Sequence, residues 1–119
     1  MKIKTSELTG PALDWAVAKC EGVDSEAARL FHDEGYYNYS TDWAQGGPII
    51  EREEIELTFD RTGEDTLWRA EMFDLKGVSV AHEYGPTPLI AAMRCYVAYK
   101  LGDEVEIPEE LTMLEGVSE

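Results

Sequence analysis

Ile55-Glu56-Leu57-Thr58-Phe59-Asp60 alternates apolar and polar side chains from end to end. Side chains on a β-strand point to opposite faces in turn, so this period of two marks a strand with one buried face and one wet face. Two further strand-like stretches follow, Leu67–Phe73 and Val78–Tyr84, connected through Arg61–Thr66 and through Asp74-Leu75-Lys76-Gly77. Connections this short join antiparallel neighbours, and the three stretches predict a meander.

Helical signals flank the strands. Downstream, Gly85-Pro86-Thr87-Pro88 reads as a helix start, with Thr87 as the N-cap and Pro88 in the first turn, where its missing N–H is no loss. Leu89, Ile90, Met93, Tyr96, Val97 and Leu101 then recur at helical spacing, Ala91, Ala92 and Ala98 permit close approach, and Gly102 supplies the stop. Upstream, Trp43-Ala44-Gln45 begins a turn of helix that the pattern predicts to break at Gly46-Gly47-Pro48 and to restart through Ile49, Ile50, Glu51, Arg52 and Glu53. Helix, three strands, helix predicts an α+β fold: a three-stranded antiparallel meander with helices packed on one face.

The N-terminal part adds a helical segment. Thr9-Gly10-Pro11 is a second helix start, Leu13, Val17 and Cys20 share a stripe, and Gly22 ends it. A shorter helix follows from an Asp24 or Ser25 cap through Ala27, Ala28, Leu30 and Phe31 towards His32. Met1–Leu8 reads as an extended lead-in or edge strand. After Gly102 the chain carries Val105, Ile107, Leu111, Met113 and Leu114 as apolar anchors for a docked tail with frayed end. The expectation is one domain over 1–119, divided into a helical segment 1–38, a core 39–102 and an acidic tail 103–119.

The 119 residues carry 25 acids against 10 bases, for a net charge of −15. The imbalance is blockwise: ten acids against two bases in residues 23–60, and seven acids with no base in 103–119. A polyanion is repelled by such a surface, and helix-strand-strand-strand-helix order alone, shared with double-stranded RNA-binding domains, does not supply the basic residues that clamp phosphates. The late helix offers only Arg94 and Lys100. Direct nucleic-acid binding is therefore not expected. No apolar run approaches the roughly 20 residues of a membrane span, and polar Thr5–Glu7 stands where a signal-peptide core would begin, so a cytoplasmic location is expected. Cys20 and Cys95 fall within helices as small apolar residues, with no disulfide expected there.

At the level of motifs, Tyr39-Ser40-Thr41-Asp42-Trp43-Ala44, then Gly46-Gly47-Pro48-Ile49-Ile50-Glu51, and later Thr87-Pro88-Leu89-Ile90-Ala91-Ala92-Met93-Arg94 resemble the NinX-type family of small phage proteins. The N-terminal run from Lys4 to Trp15 resembles it too, so the likeness covers nearly the whole chain. More loosely, the opening and the late threonine-proline-leucine helix are similar to the phage α/β sandwich domain. The resemblance implies a phage or prophage gene acting in a bacterial host cell, in an accessory role, and it supplies no catalytic residues.

No constellation specifies a reaction. His32 and His82 lie fifty positions apart, and neither they nor the cysteines show metal-ligand spacing, so neither metal nor cofactor is expected. Gly46-Gly47 could expose backbone N–H groups to an anion, but its neighbourhood is acidic and lacks a following Lys or Arg; the plainer role is close backbone packing. The expected function is non-enzymatic: binding a basic host protein, as a counter-defence or host-modulating factor, through an acidic face of Glu51, Glu53, Glu54 and Glu56 with Asp103, Glu104, Glu106, Glu109 and Glu110. The alternative is a nucleotide-like or neutral small molecule held in a pocket at Trp43, Gln45, Gly46 and Gly47, placed at a homo-oligomer interface.

Overall fold

In chain order, the elements of the computed structural model are β1 (Lys2–Lys4), a 3-10 turn (Thr5–Glu7), α1 (Gly10–Cys20), α2 (Ser25–Leu30), α3 (Trp43–Glu53), β2 (Glu56–Asp60), β3 (Leu67–Phe73), β4 (Ser79–Gly85), α4 (Pro88–Leu101) and β5 (Glu104–Glu106). The structure describes residues 1–30, 36–61 and 67–111. Expectations for Phe31, His32, most of the Arg61–Thr66 turn, Met113 and Leu114 lie outside the described residues.

β2, β3 and β4 form the antiparallel meander in that spatial order. The register sets Leu57 opposite Ala70, Phe59 opposite Trp68 and Met72 opposite Ala81. These side chains make the inner face, where the Phe59 and Trp68 rings meet edge to face with centroids 5.1 Å apart. α4 lies across β3 and β4, and α1 and α3 pack against α4. Gly85 lets β4 and α4 come close: a Cβ there would stand 2.7 Å from the Ala91 backbone nitrogen.

α4 starts as its sequence dictates, with Thr87 Oγ1 accepting from the Ile90 N–H at 3.1 Å. Its buried surface is wider than the predicted stripe. Ala91, Ala92 and Cys95 are fully buried beside Met93, Tyr96 and Val97, while Leu101 is 39% exposed. A helix with a sheet on one side and two helices on another is covered most of the way round, and the periodic stripe understates this. α1 behaves alike: every residue from Ala12 to Ala18 is buried.

The predicted break at Gly46-Gly47-Pro48 is not formed, and α3 runs unbroken from Trp43 to Glu53. Asp42 caps it, accepting from the Ala44 N–H at 2.9 Å. Pro48 sits in the second turn, so its missing N–H deprives only the carbonyl of Ala44, an exposed residue where water can substitute. Gly46 keeps the helix for a packing reason: a Cβ would lie 2.4 Å from the Tyr39 carbonyl oxygen and 2.7 Å from Leu89 Cδ1. At the C-terminal end Glu54 takes the left-handed conformation, φ 55°, that turns the chain into β2.

The two chain ends meet. β1 pairs antiparallel with β5, setting Lys2 opposite Glu106, Ile3 opposite Val105 and Lys4 opposite Glu104. Thr5 Oγ1 donates to the Gly102 carbonyl at 2.6 Å, and Met1 and Ile107 exchange backbone bonds of 2.9 and 3.0 Å. Val105, Ile107 and Leu111 are buried, so the described residues after Gly102 contribute to the core.

Candidate functional site

The nine carboxylates expected to form an acidic face fall on two supports. Glu51 and Glu53 occupy the last turn of α3, Glu54 is its C-cap, and Glu56 opens β2. Asp103 follows α4, Glu104 and Glu106 lie on β5, and Glu109 and Glu110 come just after. All but Glu53 are exposed. Glu53 accepts from Arg52 Nε at 2.8 Å, and Glu106 is paired with the N-terminal ammonium, whose hydrogen bond and charge hold its carboxyl below the usual range. The first group is anchored by Arg52, which forks onto Glu21 at 2.6 and 3.2 Å. The Tyr96 hydroxyl also donates to Glu21, at 2.6 Å. Burial alone would raise the Glu21 carboxyl, but these bonds outweigh it and the net shift is downward.

Trp43 is 54% exposed at the start of α3 and edges a cleft of about 230 Å³. Ser40 and Thr41 line it from the preceding loop, and Thr87, Pro88, Leu89 and Ile90 from the first turn of α4. Of the four residues predicted for a pocket, Trp43 alone lines this cleft. Gln45 turns away, its Oε1 accepting from the Asn38 N–H at 2.7 Å, and Gly47 lies 3.7 Å from the Trp43 ring. Gly46 is buried within α3, which leaves the glycine pair no anion cradle. Ser40 went unseen as a site residue: its N–H donates to buried Asp14 at 2.8 Å while its buried Oγ has no hydrogen-bond partner. The run Tyr39-Ser40-Thr41-Asp42 carries capping chemistry, and only Asp42 uses it.

Two other hollows exist among the described residues. One, about 350 Å³, lies between β4 and the end of α4; the other, about 210 Å³, lies between Trp15 and Lys19 of α1 and Glu104–Glu106. Nucleophiles are poorly served: burial pushes the Cys20 and Cys95 thiols up to about 12, keeping them protonated at neutral pH. Among the described residues, no group of three His, Cys, Asp or Glu could hold a metal ion, and no helix is long and apolar enough to cross a membrane.

The structure defines a small α+β domain, a three-stranded antiparallel meander with helices packed on it. The family model described as Bacteriophage P22, NinX matches residues 4–100, and the chain belongs to this phage family. No curated protein matches it. The matched span stops before β5, although β5, Ile107 and Leu111 complete the fold.

Proposed function

We propose that this phage protein acts without catalysis, by binding a basic host protein through its acidic exterior, as a counter-defence or host-modulating factor. The observation that carries this reading is the exposure of eight of the nine carboxylates named above, in a chain of net charge −15. Exposed like charges destabilise the compact state slightly and steer oppositely charged partners, accelerating their encounter. The test is capture from host lysate on immobilised protein at low and high salt. A basic protein retained at low salt and released at high salt supports the reading; retention indifferent to salt, or no enriched basic protein, removes it.

A second reading is favoured by the Trp43 cleft, where a half-exposed indole and an unpartnered buried hydroxyl sit beside a helix N-terminus. The acidic exterior points to a neutral ligand with an aromatic face. In a thermal-shift screen of nucleosides and neutral aromatics, a true ligand at 100 times its Kd would add about 2.7 kcal/mol. Trp43→Ala abolishes that gain if the cleft is the site.

A further inference from the structure

β4 ends the three-stranded sheet, so one side of it has no strand beside it. Half of that edge is covered. Arg94 donates from Nη1 to the Tyr84 carbonyl at 2.9 Å and from Nε to the Leu8 carbonyl at 2.7 Å, closing the Gly85 end. The other half is open: Ser79, Val80, Ala81 and His82 form one wall of the 350 Å³ hollow, and Ala98 and Asp103 form the other. Main-chain groups alternate in direction along a strand, so the N–H and C=O of His82 face the same way as the Tyr84 carbonyl that Arg94 caps. Among the described residues, no backbone–backbone bond outside the sheet involves Ser79–Glu83, and from α4 the Cys95 thiol donates to the Ala81 carbonyl at 3.6 Å.

Proteins guard such edges with Lys, Pro, bulges or a covering element, because an open edge recruits another strand. Ser79-Val80-Ala81-His82 contains neither Lys nor Pro, and its one irregularity is the register shift that leaves Val80 between the pairs Met72–Ala81 and Phe73–Ser79. The two sides of the edge differ in chemistry. Towards α4 stand Asp103 and, on the inner face of β4, Glu83, whose carboxyl is raised by burial and by the nearby Asp103 charge. On the open face stand Val80 and Tyr84, 44% and 38% exposed. A second copy of the chain is an unsuitable occupant, since two molecules of charge −15 repel one another.

We propose that the free edge of β4 is the docking strand for an extended basic segment of the partner, which adds to the sheet beside Ser79–His82. Its Lys or Arg side chains lie on the α4 side by Asp103 and Glu83, and its alternate apolar side chains lie on the open face by Val80 and Tyr84. This rests on the acidic-surface reading and assigns it a place and a backbone geometry.

The test uses the isotope-labelled full chain and two capped nonapeptides, one alternating Lys with Val and one alternating Glu with Val, at low and physiological salt. The Lys–Val peptide is expected to shift and protect the amides of Val80 and His82, and the Glu–Val peptide to leave them unchanged. Asp103→Lys should weaken binding at least tenfold. So should His82→Pro, which removes an edge donor at an exposed position where proline is tolerated. Glu26→Lys, the same change of charge on α2 and outside the acidic face, should change it less than threefold. Binding of the Lys–Val peptide that maps to α3 or β5, or survives both β4-side variants, overturns the edge assignment and leaves the acidic-surface reading standing. Failure of the peptide, together with no salt-sensitive basic partner from lysate, overturns both. Concentration-dependent dimerisation that His82→Pro abolishes overturns the choice of occupant.

Discussion

Gly46 and Gly47 are adjacent and alike in sequence, yet their surroundings assign them opposite sensitivities. Alanine at either position gains about 1 kcal/mol of helix propensity. At Gly46 the new methyl meets the Tyr39 carbonyl, a backbone atom that cannot swing aside, whereas at Gly47 it meets the Trp43 ring at ordinary contact distance. Gly46→Ala is expected to lose about 2 kcal/mol net, and Gly47→Ala to gain up to about 1 kcal/mol, read from denaturant midpoints. Glu21 and Glu83 form a second opposed pair. The folded state holds Glu21 below the ordinary carboxylate value, so its contribution is complete above about pH 5.5 and is lost as pH falls through and below 4.5. Glu83 is shifted up, so its ionisation opposes folding at neutral pH and this penalty fades on acidification. At pH 7, Glu21→Gln should destabilise and Glu83→Gln stabilise, and both differences from the parent should shrink as pH falls in urea unfolding. Neither behaviour is legible in the sequence, where both are glutamates among many; burial and the Arg52 and Tyr96 contacts separate them.

Helix starts were readable from short motifs, but whether a cap is used depends on its neighbours. Thr9 and Thr87 each stand before a proline-bearing helix start, and only Thr87 uses its side chain to accept a backbone N–H. Thr87→Ala is expected to cost about 1 kcal/mol and Thr9→Ala only a few tenths, measured as shifts in the unfolding midpoint. The three meander strands and α4 were evident from periodicity because their patterns are local and their connections short. The unbroken α3 was not, since proline and two glycines argue locally for a break. Close packing of Gly46 on Tyr39 and Leu89, together with the Asp42 cap, outweighs that local preference. For β5 the sequence predicts no more than a docked tail, because three residues of mixed polarity carry no strand signal until β1 lies beside them.

At the level of the folded chain, the charge of −15 sets the response to salt. The described ion pairs are few and partly exposed, and such pairs contribute little. Unscreened repulsion among exposed carboxylates is the larger effect, so the thermal midpoint should rise between 10 mM and 500 mM NaCl as the Debye length contracts from about 30 Å to a few Å. A midpoint that falls would mean that the Arg52–Glu21 and N-terminal pairs outweigh the repulsion. Composition, the alternation at 55–60, the proline-threonine helix starts and the NinX-like motifs were sufficient for the fold class, the order of elements and the acidic character, since each is written in neighbouring residues. Which carboxylates stay exposed, where Ser40 loses its partner, which edge of the sheet stays open and how residues a hundred positions apart close into β1–β5 follow from contacts between distant parts of the chain. Local pattern carries no information about such contacts, because their free energy exists only once the elements have packed.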